Sequence, residues 1–331
     1  MKQFDIPIVL FMFKRMKAVD VIRRIKIVQP QKLYLLSDEG RSPEEKKLVK
    51  KCREAVEKEI DWPCEIIKNY AQENKGVYEN IGEGSKWVLE REKWAIFLED
   101  DNLPEITFFE FCEEMLHMYE NDTRILWICG TNYLGKYDSP NKESYVFTRH
   151  MLPCGWASWG VKFCRFYDGK LRLCDNKNIV DSIEKNYYSR ALYLQYKDRW
   201  MSEYYRVMRN EKPGSWDYQM DFAIKANNLL GICPCNNQIR NIGVDKDSIH
   251  GGNSFANEMT KRFCSMNSYP IELPLKHPEV VYEDKVFEEK IAHIMLMPLK
   301  NRFKANFSRV IRKILMVPEG LRIREWVFRK K

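Results

Sequence analysis

Short apolar runs alternating with helical patterns through the first 130 residues set the strongest limit on what this 331-residue chain folds into. Residues 6–13, 32–36, 64–68 and 94–98 read as strands, most of them apolar on both faces. Between them lie a basic helical segment ending near Val28, a helix opened by Ser42 as N-cap with Pro43 at its first position, and a helical stretch over 77–90. A helical pattern over 108–119 and a strand over 125–130 continue the series. Strands without a polar face must be covered on both sides, and parallel neighbours need crossover connections. The pattern predicts an α/β protein with a mostly parallel central sheet and helices on both faces. No Gly-x-Gly-x-x-Gly and no Gly-rich Lys-Ser/Thr loop follows the first strand, so neither common dinucleotide nor phosphate-loop chemistry is supported.

The fourth strand ends in Glu99, Asp100, Asp101 and Asn102. Ligands of open α/β sheets sit just beyond the carboxyl ends of the strands, where these acids fall. Carboxylates so close repel one another, and a divalent cation with its preference for hard oxygen ligands relieves the repulsion. The plainer reading is the acidic first turn of the helix over 108–119, from which Pro104 separates them.

Beyond Gly130 the alternation lapses. Residues 152–160 bring together Gly155, Trp156, Trp159 and Gly160, which suits either a flat aromatic wall or tryptophans packed within a loop. A tyrosine-rich helical region follows, then a helix from Ser215 to about Asn227 with Asp217 in its first turn, where capping is the ordinary role. A short strand at 229–232 and a long loop from Asn241 past His250 complete this part.

Charge is unevenly spread. From Lys300 onward there are eleven Lys or Arg against two Glu, while the first 299 residues hold 44 basic and 45 acidic groups. Phe303, Phe307, Val310, Ile311, Ile314 and Leu315 fall on one helical stripe edged by Arg302, Lys304, Arg309, Arg312 and Lys313, and Trp326, Val327 and Phe328 follow. Such a tail predicts peripheral association with an anionic membrane surface at the inner face of the cell membrane, in preference to packing on the main body, and it carries no nucleic-acid-binding module. The absence of a leader pattern and of a long apolar run predicts a cytoplasmic protein whose ten cysteines are mostly reduced. Cys233-Pro234-Cys235 lacks the second pair that a structural zinc needs.

Several strand exits, taken in order, resemble the GT-A glycosyltransferases. The likeness is to bacterial enzymes of surface polysaccharide assembly with features similar to the N-acetylglucosaminyltransferase I type. It spans residues 8–252 and rests on Phe11-Met12-Phe13-Lys14-Arg15, Ser37-Asp38-Glu39-Gly40, Asn74-Lys75-Gly76 and Phe97-Leu98-Glu99-Asp100-Asp101. Gly155-Trp156-Ala157-Ser158-Trp159, Trp216-Asp217-Tyr218-Gln219, and Asn241-Ile242-Gly243 followed by His250 extend it.

The resemblance implies a GT-A domain over residues 1–255, with a donor-binding half of about 1–130 and an acceptor half of about 131–255, followed by a C-terminal extension over 256–331. It implies Asp101 as ligand of Mn²⁺ or Mg²⁺, Glu99 in support, and His250 closing on the metal or diphosphate. Asp100 would hold ribose or sugar hydroxyls, while Phe11, Lys14, Asp38 and Glu39 would line the base and ribose. Arg15 and Lys75 would meet the phosphates, Trp156 and Trp159 would wall the sugar, and Asp217 would deprotonate the acceptor in an inverting transfer. The implied partners are a nucleotide-sugar donor, uridine diphosphate sugars first, and a glycan or lipid-linked acceptor at the inner membrane face. In the family, arginines follow the second Trp; here the chain reads Gly160-Val161-Lys162, which departs from that pattern. A sugar nucleotidyltransferase would carry a Gly-rich loop after the first strand, and a non-catalytic binding protein would have lost the acids.

Overall fold

A computed structural model describes residues 4–243, 264, 266–317, 323 and 326. Among the described residues ten strands are seen: β1 (Ile8–Met12), β2 (Lys32–Ser37), β3 (Glu65–Tyr70), β4 (Trp94–Glu99), β5 (Asn102–Pro104), β6 (Ile125–Cys129), β7 (Tyr145–Thr148), β8 (Trp156–Trp159), β9 (Leu230–Pro234) and β10 (Ile239–Asn241). Eight form one sheet in the order β3-β2-β1-β4-β8-β6-β9-β7. Only β8 and β7 run against the others, so the expected mostly parallel α/β sheet is present.

The helices follow the sequence patterns. In α1 (Ala18–Val28) the buried residues Ala18, Val21, Ile22 and Ile25 recur every three or four positions. In α2 (Pro43–Lys58) the Ser42 hydroxyl accepts from Glu45 N and Pro43 opens the first turn, as expected. The stretch predicted as one helix over 77–90 instead begins as a wide π-type turn, Tyr78–Glu83, and tightens into α3 (Gly84–Leu89). The remaining helices are α4 (Thr107–Met118), α5 (Gly160–Phe166), α6 (Lys177–Ser182), α7 (Arg190–Met208), α8 (Asp217–Ala226), α9 (Lys285–Met295) and α10 (Leu299–Ile314).

Because side chains alternate along a strand, the sheet feeds two cores. Val9, Phe11, Phe97 and Trp156 enter one, with residues of α3, α5, α7, α8 and α9; Ile8, Leu10, Met12, Ile96 and Leu98 enter the other, with α1, α2 and α4. An aromatic stack crosses the first core from strand to strand. Phe11 faces Phe97 at 6.1 Å between ring centres, Phe97 faces Trp156 at 3.9 Å, and Trp156 faces Trp127 at 4.1 Å.

This stack corrects the reading of residues 152–160. Residues 156–159 are a strand, not a loop, because β4 on one side and β6 on the other supply its ladder partners. Trp156 and Trp159 point to opposite faces of the sheet, so they form no common wall. Trp156 lies in the aromatic stack, while the Trp159 indole donates to Leu116 O of α4 at 2.8 Å. Phe11 is likewise core, and none of these three rings is open to a ligand.

Candidate functional site

The carboxyl ends of β1 and β4 lie side by side, with Phe11 opposite Glu99 in register. Beyond them the chain turns at Asp100 and Asp101 and returns as β5, which pairs antiparallel with β10. Asn102 Oδ1 holds that turn by accepting from Glu99 N at 3.4 Å and Gly155 N at 2.9 Å. Gly155 has φ +61°, and a β-carbon on it would fall 2.6 Å from Ile239, so only glycine fits between the turn and β10.

Four expected site residues converge here. Arg15, three residues past β1, donates to Asp101 Oδ2 at 2.7 Å and to Asp100 Oδ1 at 3.4 Å. Asp100 Oδ2 also accepts from Phe13 N at 3.3 Å. Glu99 keeps slight solvent contact, yet burial and then the charges of Asp101, Asp100 and Asp217 push its carboxyl well above the usual range, against a weaker opposing pull from Arg15. Burial and the acidic neighbours thus together favour the protonated form of Glu99 even with Arg15 in place.

Asp217 is the first residue of α8, where Ser215 Oγ donates to its Oδ1. Besides acting on Glu99, its charge helps burial to raise the hydroxyls of Tyr133, Tyr196 and Tyr218. A carboxylate from beyond residue 200 therefore shares one electrostatic environment with the acids after β4. One turn further along α8, Asp221 is pushed up to about 6, chiefly by burial, and accepts from Tyr187 Oη at 2.8 Å.

Other expected contacts are engaged elsewhere. Asp38 Oδ1 accepts from Glu39 N at 2.9 Å and Lys75 N at 2.7 Å, and its Oδ2 from Asn74 Nδ2 at 3.0 Å and Gly76 N at 2.9 Å. A carboxylate has about four acceptor positions, so Asp38 is committed to holding the 74–76 loop rather than a ribose. Glu39 accepts from Gly40 N and pairs with Arg53 at 3.4 Å, and Lys14 pairs with Glu45 at 3.0 Å. Lys75 is exposed on the loop that Asp38 ties down. His250 lies outside the described residues.

The Asn241-Ile242-Gly243 motif, to which the sequence assigned no role at the acids, completes the site together with Lys17, which the sequence did not single out. Asn241, at the end of β10, donates to Asp101 Oδ1 at 3.4 Å and to Cys154 Sγ at 3.9 Å, and Ile242 N donates to Asp101 O at 2.9 Å. Lys17 Nζ donates to Ile242 O, pinning this segment to the exit of β1. A β-carbon on Gly243 would stand 2.2 Å from Asp101 Oδ2, so the backbone lies directly against the carboxylate. The local signal was the Asn241-Ile242-Gly243 motif, which says nothing of its partner. The partners are some 140 residues apart, beyond the reach of any spacing rule.

The oxygen donors of Asp101, Asp100 and Glu99 are the kind that a hard divalent ion prefers. Arg15 shares these carboxylates, so an ion would bind beside or in place of the guanidinium. Among the described residues, three potential ligand atoms fall within 4.8 Å of one another only at Asp5, Glu113 and His117, before β1 and at the opposite end of the sheet.

No protein-family model matches the chain, and no curated protein matches it. Among solved structures it is similar to UDP-glucose pyrophosphorylase complexed with UDP-glucose, at 10% identity over 71% of this chain and 92% of that one, with a TM-score of 0.35. It is also similar to apo-UDP-glucose pyrophosphorylase, at 8% identity over 71% and 93%, with a TM-score of 0.34. Likeness at this distance carries no weight for the chemistry.

Proposed function

We propose that this chain is a metal-dependent glycosyltransferase that moves a sugar from a nucleotide-diphosphate donor, uridine diphosphate sugars first, to a glycan or lipid-linked acceptor of a surface polysaccharide. The meeting of the Glu99-Asp100-Asp101 turn with Arg15 at the carboxyl ends of β1 and β4, and the charge of Asp217 acting on Glu99, support this reading. Asp101 would hold Mn²⁺ or Mg²⁺ with Glu99 in support, and such an ion neutralises the charge on a diphosphate leaving group. Arg15, already directed at both carboxylates, pairs with the diphosphate oxygens. Asp100 accepts hydroxyls of the donor, and Asp217 removes the acceptor proton on the face opposite the leaving group.

The test is turnover and binding measured together. With uridine diphosphate sugars, Mn²⁺ and a mixed glycan acceptor pool, the protein should release uridine diphosphate. Asp217→Asn should keep the metal-dependent thermal shift with the nucleotide while losing about 10²–10⁴ in turnover. Asp101→Ala should lose both. Pyrophosphate formed from a nucleoside triphosphate and a sugar 1-phosphate would replace this reading with a sugar nucleotidyltransferase, and no thermal shift with any nucleotide would leave a non-catalytic binding protein.

A further inference from the structure

The helix α10 packs with the wrong face outward. Arg302, Ala305, Arg309 and Arg312 are half-buried toward the body, and the Arg309 guanidinium grips Asp198 of α7 at 2.6 and 3.2 Å and Leu194 O at 3.2 Å. Leu299, Phe303, Phe307, Val310 and Ile314, at steps of four, four, three and four, are 63, 71, 68, 54 and 72% exposed. A helix docked on a domain by its apolar stripe does the reverse. No residue of α10 is buried, and Leu315 and Met316 extend the exposed stripe past its end. Scattered apolar side chains on a surface are ordinary, but a continuous row marks a contact surface.

The charges identify the partner. The sixteen residues of α10 hold six Lys or Arg and no acid. At 3.6 residues per turn, Lys300 and Lys304 flank the apolar row on one side and Lys313 on the other. Two copies joined through this face would set like charges against like, which disfavours self-association. Nucleic acid would meet an apolar row where its phosphates need cations. We propose that α10 docks this protein on an anionic membrane surface, its apolar row seated at the boundary of headgroups and acyl chains and its lysines reaching the headgroups. Among the described residues no helix is long and apolar enough to cross a membrane, so the contact is peripheral. Docking stands independently of the transfer reading, since vesicle binding can be measured without turnover.

The experiment is sedimentation of the full chain with vesicles of phosphatidylcholine alone and of phosphatidylcholine mixed with phosphatidylglycerol. Binding should favour the anionic vesicles by about tenfold or more and weaken with salt. Phe303→Glu with Phe307→Glu should reduce it about tenfold or more at an unchanged melting temperature, because both rings are exposed. Ile314→Glu should weaken it independently, and Lys300→Glu with Lys304→Glu should remove the preference for anionic lipid. Equal binding by the wild type and the Phe303/Phe307 variant would overturn the proposal. So would no binding to anionic vesicles, or a concentration-dependent dimer that the same pair of substitutions abolishes.

Discussion

Asp221 shows how a single buried acid writes a pH dependence into this fold. Its carboxyl is pushed up from 3.8 to about 6, first by burial, with Asp217 and Glu288 adding to the rise and Lys225 and the Tyr187 hydroxyl opposing it. Lys225, itself buried, has its ammonium held below the usual lysine range by desolvation and donates to Arg149 O at 2.6 Å. Between pH 4 and 6 the folded protein keeps a proton at Asp221 that the unfolded chain has released. The group therefore favours the folded state at low pH, and that advantage is lost as pH rises through 6. At about 1.4 kcal/mol per unit the loss amounts to about 3 kcal/mol. Asp221→Asn should remove this component, so the difference in unfolding free energy between wild type and variant, from urea titrations at pH 4, 5 and 6, should change by up to about 3 kcal/mol across the range. A constant difference would mean that Asp221 does not titrate there.

At the scale of elements, side chains expected to touch a ligand prove to hold the scaffold that presents the site. Asp38 is the clearest case, since one carboxylate binds the end of β2 to the 74–76 loop through two backbone N–H groups and an amide, and also accepts from Glu39 N. Removing it leaves those donors unpaired, at about 1–3 kcal/mol. Asp38→Ala should destabilise the protein by that amount and speed amide exchange at Lys75 and Gly76 first, and a loss of nucleotide binding with stability intact would restore it to the donor site. Local chemistry was legible: the strand-helix alternation, the Ser42 cap and the acids after β4 each depend on residues a few positions apart. What could not be read was set by distant neighbours. A four-residue strand after a glycine reads as a loop until β4 and β6 flank it, and whether Trp156 faces a sugar or Trp127 depends on the direction that flanking pair imposes.

The whole molecule is tied together at β8. The first 130 residues contribute β1 to β6, yet β8 lies between β4 and β6, and the other neighbour of β6 is β9. Cut after residue 130, β6 would have no ladder partner and β4 would become an apolar sheet edge, an arrangement that pairs with other chains. Phe97 would also lose Trp156, which stacks on it from the second half, and truncating so buried an aromatic costs about 3–5 kcal/mol on its own. The halves that handle the two substrates in the proposed reaction are therefore one structural unit, built on a shared sheet rather than joined by a hinge. The full chain should unfold in a single transition, with circular dichroism and tryptophan fluorescence superimposing in a urea titration, whereas residues 1–130 alone should aggregate or lack a cooperative melt. Two separated transitions, or a soluble fragment that melts cooperatively, would show that the donor half folds alone and that β8 joins the halves without making them one.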